Sequence, residues 1–235
     1  MSFLPKATPT DGFMLVLLAK RRVGKSYMTR YLIQQAYAQG KGWNRIHIFS
    51  QTGLLARESE WRNHIDEKLI SELNDEKLAQ IIEYQRNNTD QTYLIVLDDC
   101  LSAESFKNIK HLNMLASEGR HYGISVIIST QYSKGLLAPA VRNNVDFLMF
   151  STNTKTVLDT VYDMVVYHKP KQDFYKMVET NTKDYYFILY NNTGGGKFAR
   201  IKSKPVPKEF RVVVASRRGS GKSSKSSKSK VASPH

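Results

Sequence analysis

Eight consecutive residues, AKRRVGKS from Ala19 to Ser26, carry side chains at the spacing of a phosphate-binding loop. In the pattern G-x-x-x-x-G-K-[ST], loop N–H groups and the dipole of the following helix converge on phosphate oxygens. The lysine reaches the β- and γ-phosphates, and the hydroxyl ligates Mg2+. Gly24, Lys25 and Ser26 are intact, whereas Ala19 replaces the first glycine. Alanine is tolerated there if the backbone keeps φ negative. The expected cradle for ATP is Ala19, Lys20, Arg21, Arg22, Val23, Gly24, Lys25, Ser26 and Tyr27, with Ser26 also on the metal. A lysine-rich surface turn would share Lys20, Arg21 and Arg22, so the loop has to be weighed with its surroundings.

A second element strengthens it. The apolar run YLIVLDD, residues 93–99, ends in two carboxylates. Asp98 is expected on the metal side, directly or through water. Asp99 stands where many ATPases keep a glutamate that polarises the attacking water, although aspartate is one methylene shorter. A third element, GISVIISTQ, places Gln131 just after the next strand, where a polar side chain can meet the γ-phosphate or the water. Together these residues describe phosphoryl transfer to water. His47, His64, His111, His121 and His168 are scattered, no C-x-x-C occurs, and no Ser–His–Asp setting is recognisable. The single cysteine, Cys100, fits a reducing compartment.

The elements that must position these groups follow from hydrophobic pattern. FMLVLL (13–18) and TYLIVLDD (92–99) read as strands buried on both faces, and NRIHIFS, GISVIIST and VDFLMFS as further strands. Met28, Tyr31, Leu32 and Ala36 predict a helix after the loop, stopping at Gly40. Residues 54–90 read as polar and helical, with Trp61, Ile65 and Leu69 among their apolar markers. Helices are expected around 105–118 and 155–166, a helical turn near 139–143, and an amphipathic segment through 174–178. Residues 184–202 read as a hairpin, with Tyr185, Tyr186 and Phe187 as core strand residues rather than a base-stacking platform. Strands alternating with helices predict an α/β fold with a mostly parallel central sheet. The expected organisation is a core over 1–166, a small β extension over 167–215 and a disordered basic tail over 216–235.

The 235 residues carry a net charge of +14, which favours a polyanionic partner, most commonly nucleic acid. Arg217, Arg218, Lys222, Lys225, Lys228 and Lys230 lie in the last twenty residues, which contain no acid. That tail includes a near-copy of the loop, SRRGSGKSS, but SSKSSKSK that follows has no apolar periodicity to build a helix, and without a helix there is no anion pocket. No run of eighteen apolar residues predicts a membrane span.

The series AKRRVGKS, YLIVLDD, EGRHYGISVIISTQ and LAPAVRNNVDFLMF resembles the genome-packaging ATPases of large double-stranded DNA viruses, poxvirus type, in the FtsK–HerA superfamily of P-loop NTPases. The similarity covers about Gly12 to Val166. It departs from the pattern at Ala19 and at Asp99, which bear on turnover rate more than on identity. The resemblance implies a RecA-like core, a homo-oligomeric ring, six subunits being favoured, and ATP hydrolysis that moves double-stranded DNA into a capsid through a capsid or portal partner. It implies work in the host cytoplasm or viral factory and association with the virion, while the tail also fits a nuclear-targeting segment. Arg120 is then a candidate arginine finger toward a neighbour's γ-phosphate, with Arg142 the alternative. Two rivals remain: a nucleotide kinase, and a basic DNA-binding virion protein whose loop is degenerate. ATP hydrolysis separates the last from a motor.

Overall fold

The computed structural model describes residues 4–6, 10–51, 61–102, 104–131, 139–165, 167–193 and 195–212. The tail, with its near-copy of the loop, lies outside them.

Strand β1 (Met14–Leu18) leads through the loop into helix α1 (Lys25–Ala38), and β2 (Arg45–Phe49) follows. A 3-10 turn (Glu67–Leu69) precedes the two-residue strand β3 (Ile70–Ser71). Then come α2 (Asp75–Arg86), β4 (Tyr93–Asp98), α3 (Ser105–Asn108), α4 (Lys110–Glu118), a 3-10 turn (Gly119–Tyr122) and β5 (Ile124–Thr130). The chain continues through α5 (Pro139–Arg142), β6 (Phe147–Phe150), α6 (Lys155–Met164), α7 (Lys171–Asn181), β7 (Tyr186–Asn191) and β8 (Lys197–Lys202).

The eight strands of the described residues form one sheet in the order β3-β2-β4-β5-β1-β6-β7-β8. The first six run parallel, while β7 and β8 add antiparallel to the β6 edge. The expected hairpin thus extends the main sheet. Alternate residues of β1 feed two cores. Met14, Val16 and Leu18 face the layer containing α2, α4, α6 and α7, and Leu15, Leu17 and Ala19 face α1 with Trp61, Ile65 and Val212. Burial on both faces is why this strand is apolar without alternation. The outer edge strand β8 is exposed at five of its six residues and carries Lys197, Arg200 and Lys202, which discourages pairing with another chain.

Local chemistry explains the helix ends. Gly24 caps α1 at φ 91°, a left-handed conformation that costs glycine little. Asn74 caps α2 by accepting the Lys77 N–H at 2.8 Å, and Asp75 and Glu76 complement its dipole. Two expectations need correction. In the described part of 54–90, helix occupies only 75–86, and Ile70–Ser71 joins β2 as a short edge strand. The helix expected over 105–118 breaks at Ile109, whose backbone is extended at φ −111°.

The amino end of β1 is fixed tightly. A Cβ on Gly12 would lie 2.1 Å from the Ile124 carbonyl oxygen. The Gly12 N–H donates to the Arg120 carbonyl at 2.9 Å, and the Met14 N–H donates to the Asp146 carboxylate at 2.7 Å.

On β2, His47 is 2% exposed, with Nε2 2.8 Å from the Ser71 hydroxyl and its ring against Phe49. Burial, with a smaller contribution from the Lys77 charge, pushes its pKa from 6.5 down to about 4. Below pH 6.5 the unfolded chain takes up a proton that the folded chain refuses until about pH 4, so stability falls with pH through that window. The loss from this group should be about 2 kcal/mol between pH 7.5 and pH 5. Urea unfolding at the two pH values should show it, and His47→Gln should remove that part of the slope.

Candidate functional site

Because β1, β4 and β5 are parallel, their carboxyl ends share one edge of the sheet, and β5 separates β1 from β4. Two strand spacings, roughly 10 Å, therefore lie between the loop and the acidic strand end. That arrangement forms a crevice of the kind in which open α/β sheets hold ligands. Helix α1 bridges it: its first turn places the Ser26 hydroxyl 3.1 Å from Asp98 Oδ1, to which it donates. A cleft of about 960 Å³ opens beside this contact, lined by Arg21, Arg22, Gly24, Lys25, Ser26, Tyr27 and Asp99 on the loop side. Its other side is formed by Tyr185, Lys202, Ser203 and Pro205.

The loop has the shape its sequence requires. Ala19 is fully buried, its N–H donates to the Thr130 carbonyl at 3.2 Å, and its φ is not positive, so no glycine is needed. The Lys20 N–H reaches the Thr152 carbonyl at 3.3 Å, which anchors the loop to the end of β6. Arg22 is left-handed at φ 63°, an uncommon state for a residue with a side chain. Val23 packs partly against the core on the α1 face. Lys25 is 8% exposed and its Nζ donates to the Lys20 carbonyl at 3.3 Å. Burial lowers its pKa, against the opposing pull of Asp99 and Asp98.

Asp98 is 2% exposed and holds two donors. Ser26 serves Oδ1, and the Trp61 indole N–H donates to Oδ2 at 2.9 Å. Burial raises its pKa, and the hydrogen bonds from Trp61 and Ser26 oppose the rise. Arg30 is buried behind them, its guanidinium 5.6 Å from the Trp61 ring centre and 5.7 Å from that of Tyr27. Asp99 is exposed in the cleft, left-handed at φ 51°, with its N–H fixed to the Ser129 carbonyl at 2.9 Å. Ser26 Oγ and Asp98 Oδ1 form a compact pair of oxygen donors. They suit a hard cation such as Mg2+ that keeps most of its other positions for water and phosphate.

The other expected residues divide between the two edges. Half-buried Gln131 follows β5 on the crevice edge, where its backbone carbonyl accepts from Asn153 Nδ2 at 3.4 Å. Arg120 lies at the opposite, amino-terminal edge. Its Nη2 donates to Asn144 Oδ1 at 2.7 Å and its Nη1 is 3.7 Å from Asp146. It takes no part in this chain's own crevice, so a finger role would have to be played toward a neighbouring subunit. Arg142, the alternative, is exposed at the end of α5.

Three contributors were not expected from sequence. Trp61 was foreseen only as an apolar marker, and Arg30 carried no signal. Tyr185, expected in the strand core, is instead 59% exposed on the cleft, while Phe187 is the buried one.

If Trp61 supports Asp98 through its N–H, Trp61→Phe should lower the unfolding free energy by about 2 kcal/mol, since it leaves a buried carboxylate oxygen without a donor. In the Asp98→Asn background the same change should cost less, with a coupling of about 1 kcal/mol in a double-mutant cycle followed by denaturant unfolding.

No family model matches the chain. It is 32% identical over 101 residues to protein 015R of Frog virus 3 (isolate Goorha), a match covering 43% of this chain and 31% of that protein. The chain thus spans less than a third of the length of that relative. Among solved structures, the DNA-packaging ATPase B204 from Sulfolobus turreted icosahedral virus superposes with a TM-score of 0.60 at 19% identity, over 85% of this chain and 100% of its own. The genome packaging NTPase B204 from Sulfolobus turreted icosahedral virus 2, in complex with ATP-gammaS, gives 0.60 at 18% identity, over 85% and 99%. The chain therefore carries a P-loop ATPase fold, the one it shares with these viral packaging enzymes.

Proposed function

We propose that the protein is an ATP-hydrolysing motor subunit that moves double-stranded DNA into a viral capsid. The observation that carries this reading is the hydrogen bond between Ser26 and Asp98, which joins the phosphate-binding loop to the acidic strand end across β5. Neither motif alone requires that convergence. The fold shared with viral packaging ATPases supports the assignment to packaging, and the net charge of +14 supports a nucleic-acid partner.

On this reading the loop N–H groups and the start of α1 bind the phosphates, and Lys25 exchanges the Lys20 carbonyl for β- and γ-phosphate oxygens. Ser26 and Asp98 hold Mg2+, which when bound neutralises charge developing on the phosphates. Asp99, exposed and held by its own backbone hydrogen bond, accepts the proton of the attacking water, while Gln131 orients that water. Subunits assemble into a ring, so that an arginine from one chain completes the site of the next. Of the two candidates, Arg142 is the better placed to leave its surroundings, because Arg120 is tied to Asn144 and Asp146. The motor works at the site of capsid assembly, in the host cytoplasm or viral factory.

Steady-state ATP hydrolysis with and without duplex DNA tests the reading. Turnover should rise with DNA. Lys25→Ala should abolish it, and Asp99→Asn should lower kcat about a hundredfold while KM for ATP changes little. Turnover indifferent to Lys25 would overturn the assignment. An absence of turnover in the assembled protein would leave a DNA-binding protein without a motor.

A further inference from the structure

We infer that Tyr185, at the start of the β7–β8 hairpin, is the stacking platform for the nucleotide base, so that the hairpin forms the base side of the binding site. This rests on the phosphate-loop reading above and adds to it the residue that contacts the other end of the ligand.

Four observations converge on Tyr185. It is one of two large apolar side chains that stand exposed among the described residues, at 59%. It opens onto the same cleft as Lys25, Ser26 and Tyr27, with Lys202 and Pro205 beside it. Its backbone is left-handed at φ 62°, directly after Asp184 at φ 54°. Two such residues in succession are uncommon, and conformations of this kind gather at ligand sites. The conformation is fixed from the residue that follows β8: both the N–H and the hydroxyl of Ser203 donate to the Tyr185 carbonyl at 3.3 Å.

The fourth observation comes from the loop. A Cβ built on Gly24 would sit 3.1 Å from Tyr185 Cδ1, so the ring lies directly against the loop backbone at Gly24. Phosphates bound at Lys25 and Ser26 therefore place the remainder of the nucleotide within reach of an aromatic face. Flat exposed aromatics hold bases by stacking, and every base offers a π-face. Among the described residues that line the cleft there is no amide side chain, and the one carboxylate is Asp99 on the β4 side. Recognition through Tyr185 is thus expected to strengthen binding of adenine and guanine nucleotides by the same factor.

Equilibrium binding of ATP-gammaS, GTP-gammaS and inorganic tripolyphosphate to the full chain tests this. Tripolyphosphate engages the loop but has no base. Tyr185→Leu, which keeps apolar bulk, should weaken both nucleotides roughly tenfold and leave tripolyphosphate unchanged. Tyr185→Phe should retain affinity for all three within about threefold. Equal loss of tripolyphosphate in Tyr185→Leu would show that the residue shapes the loop, and would overturn the inference. So would nucleotide affinity indifferent to Tyr185→Leu. Lys25→Ala separates the two levels: it should weaken all three ligands, and if it weakens none, the phosphate-loop reading fails and takes this inference with it.

Discussion

The carboxylate of Asp98 is the constraint around which the site is organised. A carboxylate that is 2% exposed is costly to keep charged unless its oxygens are satisfied. Here each oxygen accepts a hydrogen bond, and the donors come from separate segments: Ser26 from the first turn of α1 and Trp61 from the segment before β3. The position of α1 over the sheet, the end of β4 and the docking of residues 61–65 onto the α1 face are therefore interdependent. Displacing any of them strands a buried polar atom. The same demand makes the site receptive to a cation, which can replace the Ser26 hydrogen bond as the partner of Oδ1 without leaving that oxygen bare.

The loop beside it is held in an electrostatically incomplete state. Lys25 is buried against its preference for charge, and the counter-charges of Asp99 and Asp98 offset only part of that cost. Its hydrogen bond goes to a neutral carbonyl at 3.3 Å. Phosphate oxygens would supply the stronger, charge-assisted partner that the protein does not. Arg21, Arg22 and Lys202 around the mouth of the cleft add attraction for a polyanion. On the proposed function, preference for a triphosphate would be a property of the whole cleft.

What could be read from sequence depended on whether burial left a mark on residue type. β1, β4 and β5 are buried on both faces, so their apolar runs announced them, and α1 was legible from the spacing of Met28, Leu32 and Ala36. Ile70–Ser71 was not legible, because a two-residue edge strand in a polar stretch has no room for a period. The break at Ile109 has neither glycine nor proline to signal it. In the candidate site, the loop and the acid that meets it, Asp98, stood out because phosphate and metal binding would need particular residue types at particular spacing. Trp61 was not, since an indole that donates to a carboxylate looks in sequence like one that fills a core. The exposure of Tyr185 was not legible because DYYFILY continues a strand pattern, and only the left-handed backbone at Asp184 and Tyr185 shows that the strand begins at Tyr186.

The close fit of Gly12 against the Ile124 carbonyl reaches further than the corner in which it lies. A strand that is apolar on both faces is poorly located by its own hydrophobicity, because a shift of one residue would exchange one set of buried side chains for another equally greasy set. Such a slip would carry the loop about 3.4 Å along the sheet, well beyond the tolerance of a 3.1 Å contact with Asp98. β1 is therefore located like a rod seated in a socket at its rear. The Gly12 fit, the Arg120 carbonyl and the Asp146 carboxylate set the depth of the seat, and the phosphate loop at the far end inherits its address from them.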